Sequence, residues 1–185
     1  MYEDRIYLLP MGSEDILLLE EIAAGVSDAF GLPVACLSSV PVPEAAYNEG
    51  RGQYYSTMVL RGLRTHLSAD ALRLLAITDM DIYVPRLNFV FGEAAVDGMV
   101  CIISTYRLHP EYYGKQPNRR LFVERSTKEA VHELGHTFGL RHCSDPHCIM
   151  FFSNDIEDTD RKSVEFCNED AAQIRHKLAT LRKAA

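Results

Sequence analysis

Between His132 and His142 the chain reads His132-Glu133-Leu134-Gly135-His136-Thr137-Phe138-Gly139-Leu140-Arg141-His142, the full HExxHxxGxxH spacing. On a helix, His132 and His136 stand one turn apart on the same face, so two imidazoles converge on one ion, while Glu133 is rotated about 100° toward the open side, where a general base belongs. Gly139 can take the positive φ that ends the helix and turns the chain, which lets His142 swing back as a third nitrogen ligand. Three protein ligands leave the fourth tetrahedral position for water, the arrangement of catalytic rather than structural zinc. A solvated helix face explains a lone His-Glu pair, but nothing in helix packing asks for His at i, i+4 and i+10. The chemistry these residues support is hydrolysis, with Glu133 as general base on a water held by zinc.

The motif runs directly into Cys143, and Cys148 and Met150 follow after four further residues. The whole string resembles the signature of the archaemetzincins, a family of metzincin-clan zinc peptidases. Arg51-Gly52-Gln53-Tyr54 and Thr78-Asp79-Met80-Asp81-Ile82-Tyr83-Val84-Pro85 are similar to segments of the same family, so the likeness spans most of the chain. The resemblance implies a metzincin-like α+β fold: a twisted mixed five-stranded sheet with an antiparallel edge strand above the cleft, an active-site helix, and a small C-terminal lobe with a terminal helix. It divides a single catalytic domain, 1–185, into an N-terminal subdomain, 1–139, and a C-terminal one, 140–185. It also implies a zinc-dependent peptidase that cuts peptide bonds, and a Met-turn in which Met150 lies beneath the metal. Thioether sulfur is a weak zinc ligand, so Met150 is expected as an apolar floor that stiffens the triad.

In that family a second, structural zinc is held by four cysteines, two of which correspond to Cys143 and Cys148, with a CxxC pair near the C-terminus. Here Cys167 is followed by Asn168, Glu169 and Asp170, so Asp170 stands where the fourth thiolate is expected. Zinc accepts a carboxylate oxygen, which leaves a Cys3Asp site open, with His147 and His176 as other candidates for the fourth ligand. The alternative is that three small thiols pack the lobe without metal.

The elements that must position these residues follow from pattern. Arg5 to Pro10 and Pro33 to Val40 read as strands, and Ser13, Glu14 and Asp15 as the capped start of a helix ending near Gly31, with Ile16, Leu19, Ile22, Val26 and Phe30 in helical period. Pro41-Val42-Pro43 breaks regular structure. A helix over Tyr54 to His66, apolar runs at Leu74 to Thr78, Leu87 to Phe91 and Met99 to Tyr106, a long helix from about Leu121 to Gly139, and a last helix bearing Ile174, Leu178 and Leu181 complete the order. The stretch between Gly139 and Cys167 reads as irregular. Alternating strands and helices before the motif helix imply a mixed sheet with helices packed on it.

The chain has 185 residues, 47% of them hydrophobic, enough to bury a sizeable core. Its net charge of -7, without a polybasic run, argues against nucleic acid as a partner. No apolar run approaches a membrane span, the acidic Met1-Tyr2-Glu3-Asp4-Arg5 start is unlike a signal peptide, and an odd set of five cysteines suits a reducing compartment; a cytoplasmic peptidase acting on peptide substrates is expected. If Leu87 to Phe91 is the edge strand, a substrate backbone can pair with it in extended form. Tyr106, Tyr112, Tyr113 and Arg125 are candidate oxyanion stabilisers. Two other readings stand beside the peptidase: a zinc-stabilised binding or regulatory protein, and an aminopeptidase anchoring the free amine on Glu93, Asp97 or Asp145.

Overall fold

The structure, a computed structural model, describes residues 5–12 and 15–184. In chain order the elements are β1 (Arg5–Met11), α1 (Ile16–Phe30), β2 (Val34–Cys36), β3 (Tyr47–Asn48), β4 (Gln53–Tyr55), α2 (Ser56–Gly62), β5 (Ala71–Thr78), β6 (Ile82–Tyr83), β7 (Gly92–Ala94), β8 (Val100–Ser104), α3 (Arg119–Thr137), α4 (Ile156–Arg161) and α5 (Asn168–Ala184). The fold is α+β. A five-stranded mixed sheet runs β2-β1-β5-β8-β7, parallel except for β7, which lies antiparallel to β8 at one edge. A small second sheet, β3-β4-β6, lies apart from it.

The central strands β5 and β8 are buried along most of their length, as expected of runs without alternation between two helical layers. Because successive side chains point to opposite faces, Leu75, Ile77, Cys101 and Ile103 join one core with α1 and α3. Leu74, Ala76, Val100 and Ile102 join the other with Val59, Leu60 and Leu63 around α2. α1 presents Leu18, Leu19, Ile22, Val26 and Phe30 to the first core. Its cap is Asp15, whose side chain accepts from Leu17 N at 2.9 Å; the expected signal at Ser13 and Glu14 lies outside the described residues.

Several boundaries differ from the sequence reading. The strand expected over 33–40 is regular only at Val34–Cys36, with one further bridge from Val40 to Met11, as Pro41 and Pro43 end it. Tyr54 belongs to β4, and the helix after it starts at Ser56. The antiparallel edge strand is Gly92–Ala94 rather than Leu87–Phe91. The reason is local: Arg86 has φ 77, and the carbonyls of Leu87 and Asn88 accept from the Arg51 guanidinium, at 2.9 Å each, instead of a neighbouring strand. The stretch taken as irregular contains α4, capped by Asp155, whose side chain accepts from Glu157 N and Asp158 N. Its few residues bury only Ile156 and Thr159, too little for an apolar period to register. No helix among the described residues is long and apolar enough to cross a membrane.

Candidate active site

α3 is the element that carries the motif. Asn118 caps it by accepting from Leu121 N at 3.1 Å, and nineteen residues of helix bring His132 and His136 to its last turns. The helix closes on Gly139, whose φ of 96° lies in the left-handed region where a side chain is strained, and Leu140 N returns to Gly135 O at 3.1 Å. That turn delivers His142 to the same place. His132 Nε2 and His136 Nε2 lie 3.2 Å apart, and one ring nitrogen from each of the three His falls within 4.8 Å of the others. Zinc–nitrogen bonds of ~2.0–2.1 Å in a tetrahedral site separate nitrogens by about 3.3 Å, so the donor set fits the ion.

Two carbonyls orient the rings. His132 Nδ1 donates to Ile149 O and His136 Nδ1 to Leu140 O, each at 2.8 Å, an assignment that leaves both Nε2 lone pairs toward the centre. Met150, fully buried, lies under the last turn of α3; a Cβ on Gly135 would meet its Sδ at 2.5 Å. Phe152 packs on the His142 ring, centroids 4.8 Å apart. Burial is the main cause that pushes His132 well below the ordinary histidine value and lowers His136 and His142, which keeps the imidazoles in the neutral form a metal requires. Burial first, then the Glu129 charge, push Glu133 well above the usual carboxylate range, with Lys162 opposing. A divalent cation beside it acts in the opposite direction.

The triad opens into a cleft of about 430 Å³. One wall is the segment from Leu87 through β7; the other is Phe152, Ser153 and Asn154, with Glu129, Glu133 and the three His between them. A Cβ on Gly92 would meet Glu133 Cγ at 2.5 Å and Oε1 at 2.7 Å, so the Glu133 carboxylate lies against the bare backbone of β7. β7 pairs with β8 on one side and with no other strand among the described residues.

Several sequence candidates fall elsewhere. Arg125 is fully buried and donates to Asp160 at 2.7 and 2.8 Å and to Leu108 O at 3.0 Å, which makes it a strut under α3. Tyr113 packs beside that guanidinium, and Tyr106 and Tyr112 meet edge to face on the surface; none of the four lines the cleft. Glu93 borders the cleft, but Gly92 faces Glu133, and alternation turns the Glu93 carboxylate to the other face, where Ser56 and Thr57 donate to it. Asp97 pairs with Lys177, and Asp145 accepts from His147 N at 2.9 Å. Sequence reasoning missed Glu129 and Ser153. Glu129 stands four residues before Glu133, one turn along the same face, a spacing that was visible.

Behind the triad, Cys143, Cys148, Cys167 and Asp170 form a second group with ligand atoms within 4.8 Å of one another. Cys143 Sγ and Cys167 Sγ are 3.9 Å apart, and Asp170 Oδ2 lies 3.2 Å from Cys148 Sγ and 3.4 Å from Cys167 Sγ. Zinc–sulfur bonds of ~2.3 Å set sulfurs about 3.8 Å apart. The backbone amides of Asp145, Met150, Cys167 and Asp170 point at these sulfurs at 3.3 to 3.5 Å, as partners for thiolates. Burial pushes the Cys148 thiol up to about 12 and raises Cys143. His147 and His176 do not join the group. Cys143 N donates to Met150 O at 2.9 Å, which couples this group to the floor of the triad.

Known proteins resemble this chain along most of its length. The profile of the family described as Peptidase family M54 matches residues 18–176. The archaemetzincin of Pyrococcus furiosus is 39% identical over 181 residues, covering 95% of this chain and 94% of its own. The crystal structure of archaemetzincin from Archaeoglobus fulgidus, complexed with malonate, superposes with a TM-score of 0.79 at 39% identity, covering 91% of this chain and 99% of that one. That of Methanopyrus kandleri gives 0.83 at 36% identity, covering 95% and 96%.

Proposed function

The chain belongs to peptidase family M54, and we propose that it is a metzincin-type zinc metallopeptidase that hydrolyses extended peptides with Glu133 as general base. The observation that carries the reading is the approach of two imidazole nitrogens to 3.2 Å, with Glu133 beside them in an open cleft. His132, His136 and His142 would hold the catalytic zinc. The chemistry zinc supplies in such a site is Lewis acidity, which lowers the pKa of a water toward ~7 and polarises the scissile carbonyl.

The chain's own residues do the rest. The free edge of β7 docks the substrate backbone by main-chain hydrogen bonds, which favours weak side-chain selectivity along most of the peptide. Glu133 takes the proton of the attacking water and hands it to the leaving amine. Ile149 O and Leu140 O keep the ligand rings in register, so little reorganisation is needed during the reaction. Cys143, Cys148, Cys167 and Asp170 would hold a second, structural zinc that ties the stretch from Cys143 to Cys148 to the start of α5. Free cysteines throughout the chain fit a cytoplasmic setting.

The aminopeptidase reading loses its anchors, since Glu93, Asp97 and Asp145 are all engaged elsewhere. The scaffold reading leaves the cleft-facing Glu133 without a role. Glu133→Gln tests the assignment: zinc content stays at the wild-type level while cleavage of a mixed peptide library falls by ~10²–10⁴. Undiminished hydrolysis in that variant, or none in the zinc-loaded wild type, would overturn it.

A further inference from the structure

The two ligand groups are joined through one short stretch of chain. His142 of the triad is followed directly by Cys143 of the second group, and Cys148 of that group by Ile149, whose carbonyl accepts from His132 Nδ1 at 2.8 Å. Carbonyls fix the rings of His132 and His136, but neither ring nitrogen of His142 has a hydrogen-bond partner among the described residues. The exposed His142 ring packs on Phe152 and is otherwise placed by its own backbone. That backbone is anchored one residue later: Cys143 N donates to Met150 O at 2.9 Å, and Cys143 forms a bridge with Phe151. Cys148, Ile149 and Met150 are buried, and the amides of Met150 and Cys167 point at Cys148 Sγ at 3.4 and 3.3 Å. Two of the three triad ligands therefore take their positions from the immediate neighbours of Cys143 and Cys148.

We propose that Cys143 and Cys148 are positioning residues for the triad, so that zinc in the Cys3Asp group raises the affinity of His132, His136 and His142 for their own ion. An ion in the second group fixes the backbone on either side of the stretch 143–148, which holds His142 in place and keeps the Ile149 carbonyl on His132. Without it, the first ion to bind the triad must order that stretch itself, a cost the second ion is otherwise spared. Groups that orient a ligand ring without touching the metal are worth about 10–100-fold in metal affinity, which sets the scale of the effect. Coupling of this kind is reciprocal, so an ion in the triad tightens the Cys3Asp group by the same factor. The inference rests on the reading of both groups as zinc sites and not on turnover.

The test starts from zinc-loaded protein and measures the zinc affinity of each group by competition with a chromophoric chelator, with bound zinc counted and circular dichroism recorded throughout. In Asp170→Ala the triad is expected to bind zinc about 10–100-fold more weakly than in the wild type. Asp170→Cys, which restores a fourth zinc donor, is expected to bring the triad back to within about threefold of the wild-type value. His136→Ala is expected to weaken the Cys3Asp group by the factor that Asp170→Ala takes from the triad. An unchanged triad affinity in folded Asp170→Ala, a loss that Asp170→Cys does not recover, or a wild type that binds a single ion would overturn the proposal. Should Asp170→Ala fail to fold, His136→Ala decides alone, and an unchanged affinity at the Cys3Asp group overturns it. Peptide cleavage is assayed in parallel: coupled sites without cleavage would sink the peptidase reading and leave the coupling standing, and cleavage with uncoupled sites would do the reverse.

Discussion

Glu133 and Gly92 face each other so closely that neither position tolerates extra volume. A methyl at Gly92 would lie 2.5 Å from Glu133 Cγ, and α3, packed against α1 and α4 as well as the sheet, has little room to retreat. Gly92→Ala should therefore displace the carboxylate, lowering kcat by at least ~10² while bound zinc stays constant, since a misplacement of about 1 Å costs that much. Steady-state kinetics with parallel metal analysis checks this; an unchanged kcat would show that Glu133 has room to move. Lys162 makes a separate case. Its side chain is fully buried against Glu129, and removing one member of a buried ion pair leaves an uncompensated charge. Lys162→Met should cost ~3–5 kcal/mol in denaturant unfolding, and Glu129→Gln combined with it should recover most of the loss.

At the scale of elements, the least regular segment is the one most carefully held. Arg51 reaches across from the turn before β4 to the carbonyls of Leu87 and Asn88, and Gln53 Nε2 donates to Asn88 O at 3.0 Å and to Asp81 at 2.9 Å. Asp81 in turn takes both donors of Arg107 at 2.7 Å, and that guanidinium covers the Phe89 ring at 4.3 Å. This network holds the wall leading into β7 from outside the cleft. Arg51→Met should loosen the wall without touching the metal ligands: KM for a peptide rises ~3–10-fold, while kcat and zinc content stay within about twofold. If kcat falls in equal proportion instead, the wall acts on the chemistry rather than on docking.

For the molecule as a whole, Arg125, Lys128, Glu129, His132 and His136 of α3 bond to the segment after Gly139, and the Cys3Asp group ties that segment to itself, joining the stretch from Cys143 to Cys148 to the start of α5. Metal there couples directly to stability, because ligands scattered over a disordered chain do not bind as a set. Asp170→Ala should lower bound zinc from two ions per chain to one and reduce the melting temperature, whereas His136→Ala should remove the other ion with a smaller thermal effect. Elemental analysis and thermal unfolding of both variants decide the matter. A wild type carrying one zinc, lost with His136 alone, would mean that thiol packing holds this segment by itself.

Helical period and ligand spacing are local properties, and they were legible at once: α1, α3 and α5, the two central strands and the grouping of His132, His136 and His142 all follow from residues a turn or a pleat apart. Asp170 groups with Cys143, Cys148 and Cys167, the residue set that the family resemblance implied. What the tertiary structure decided lies between segments far apart in sequence. The edge strand moved to Gly92–Ala94 because Arg51, tens of residues earlier, occupies the carbonyls that would have extended it. Arg125 became a strut and Glu93 a brace for α2 because their partners, Asp160, Ser56 and Thr57, arrive only on folding. Glu129 and Ser153 were brought to one cleft for the same reason. Local geometry writes the triad into neighbouring turns of the chain, but which polar groups line the cleft depends on every chain segment packed around it.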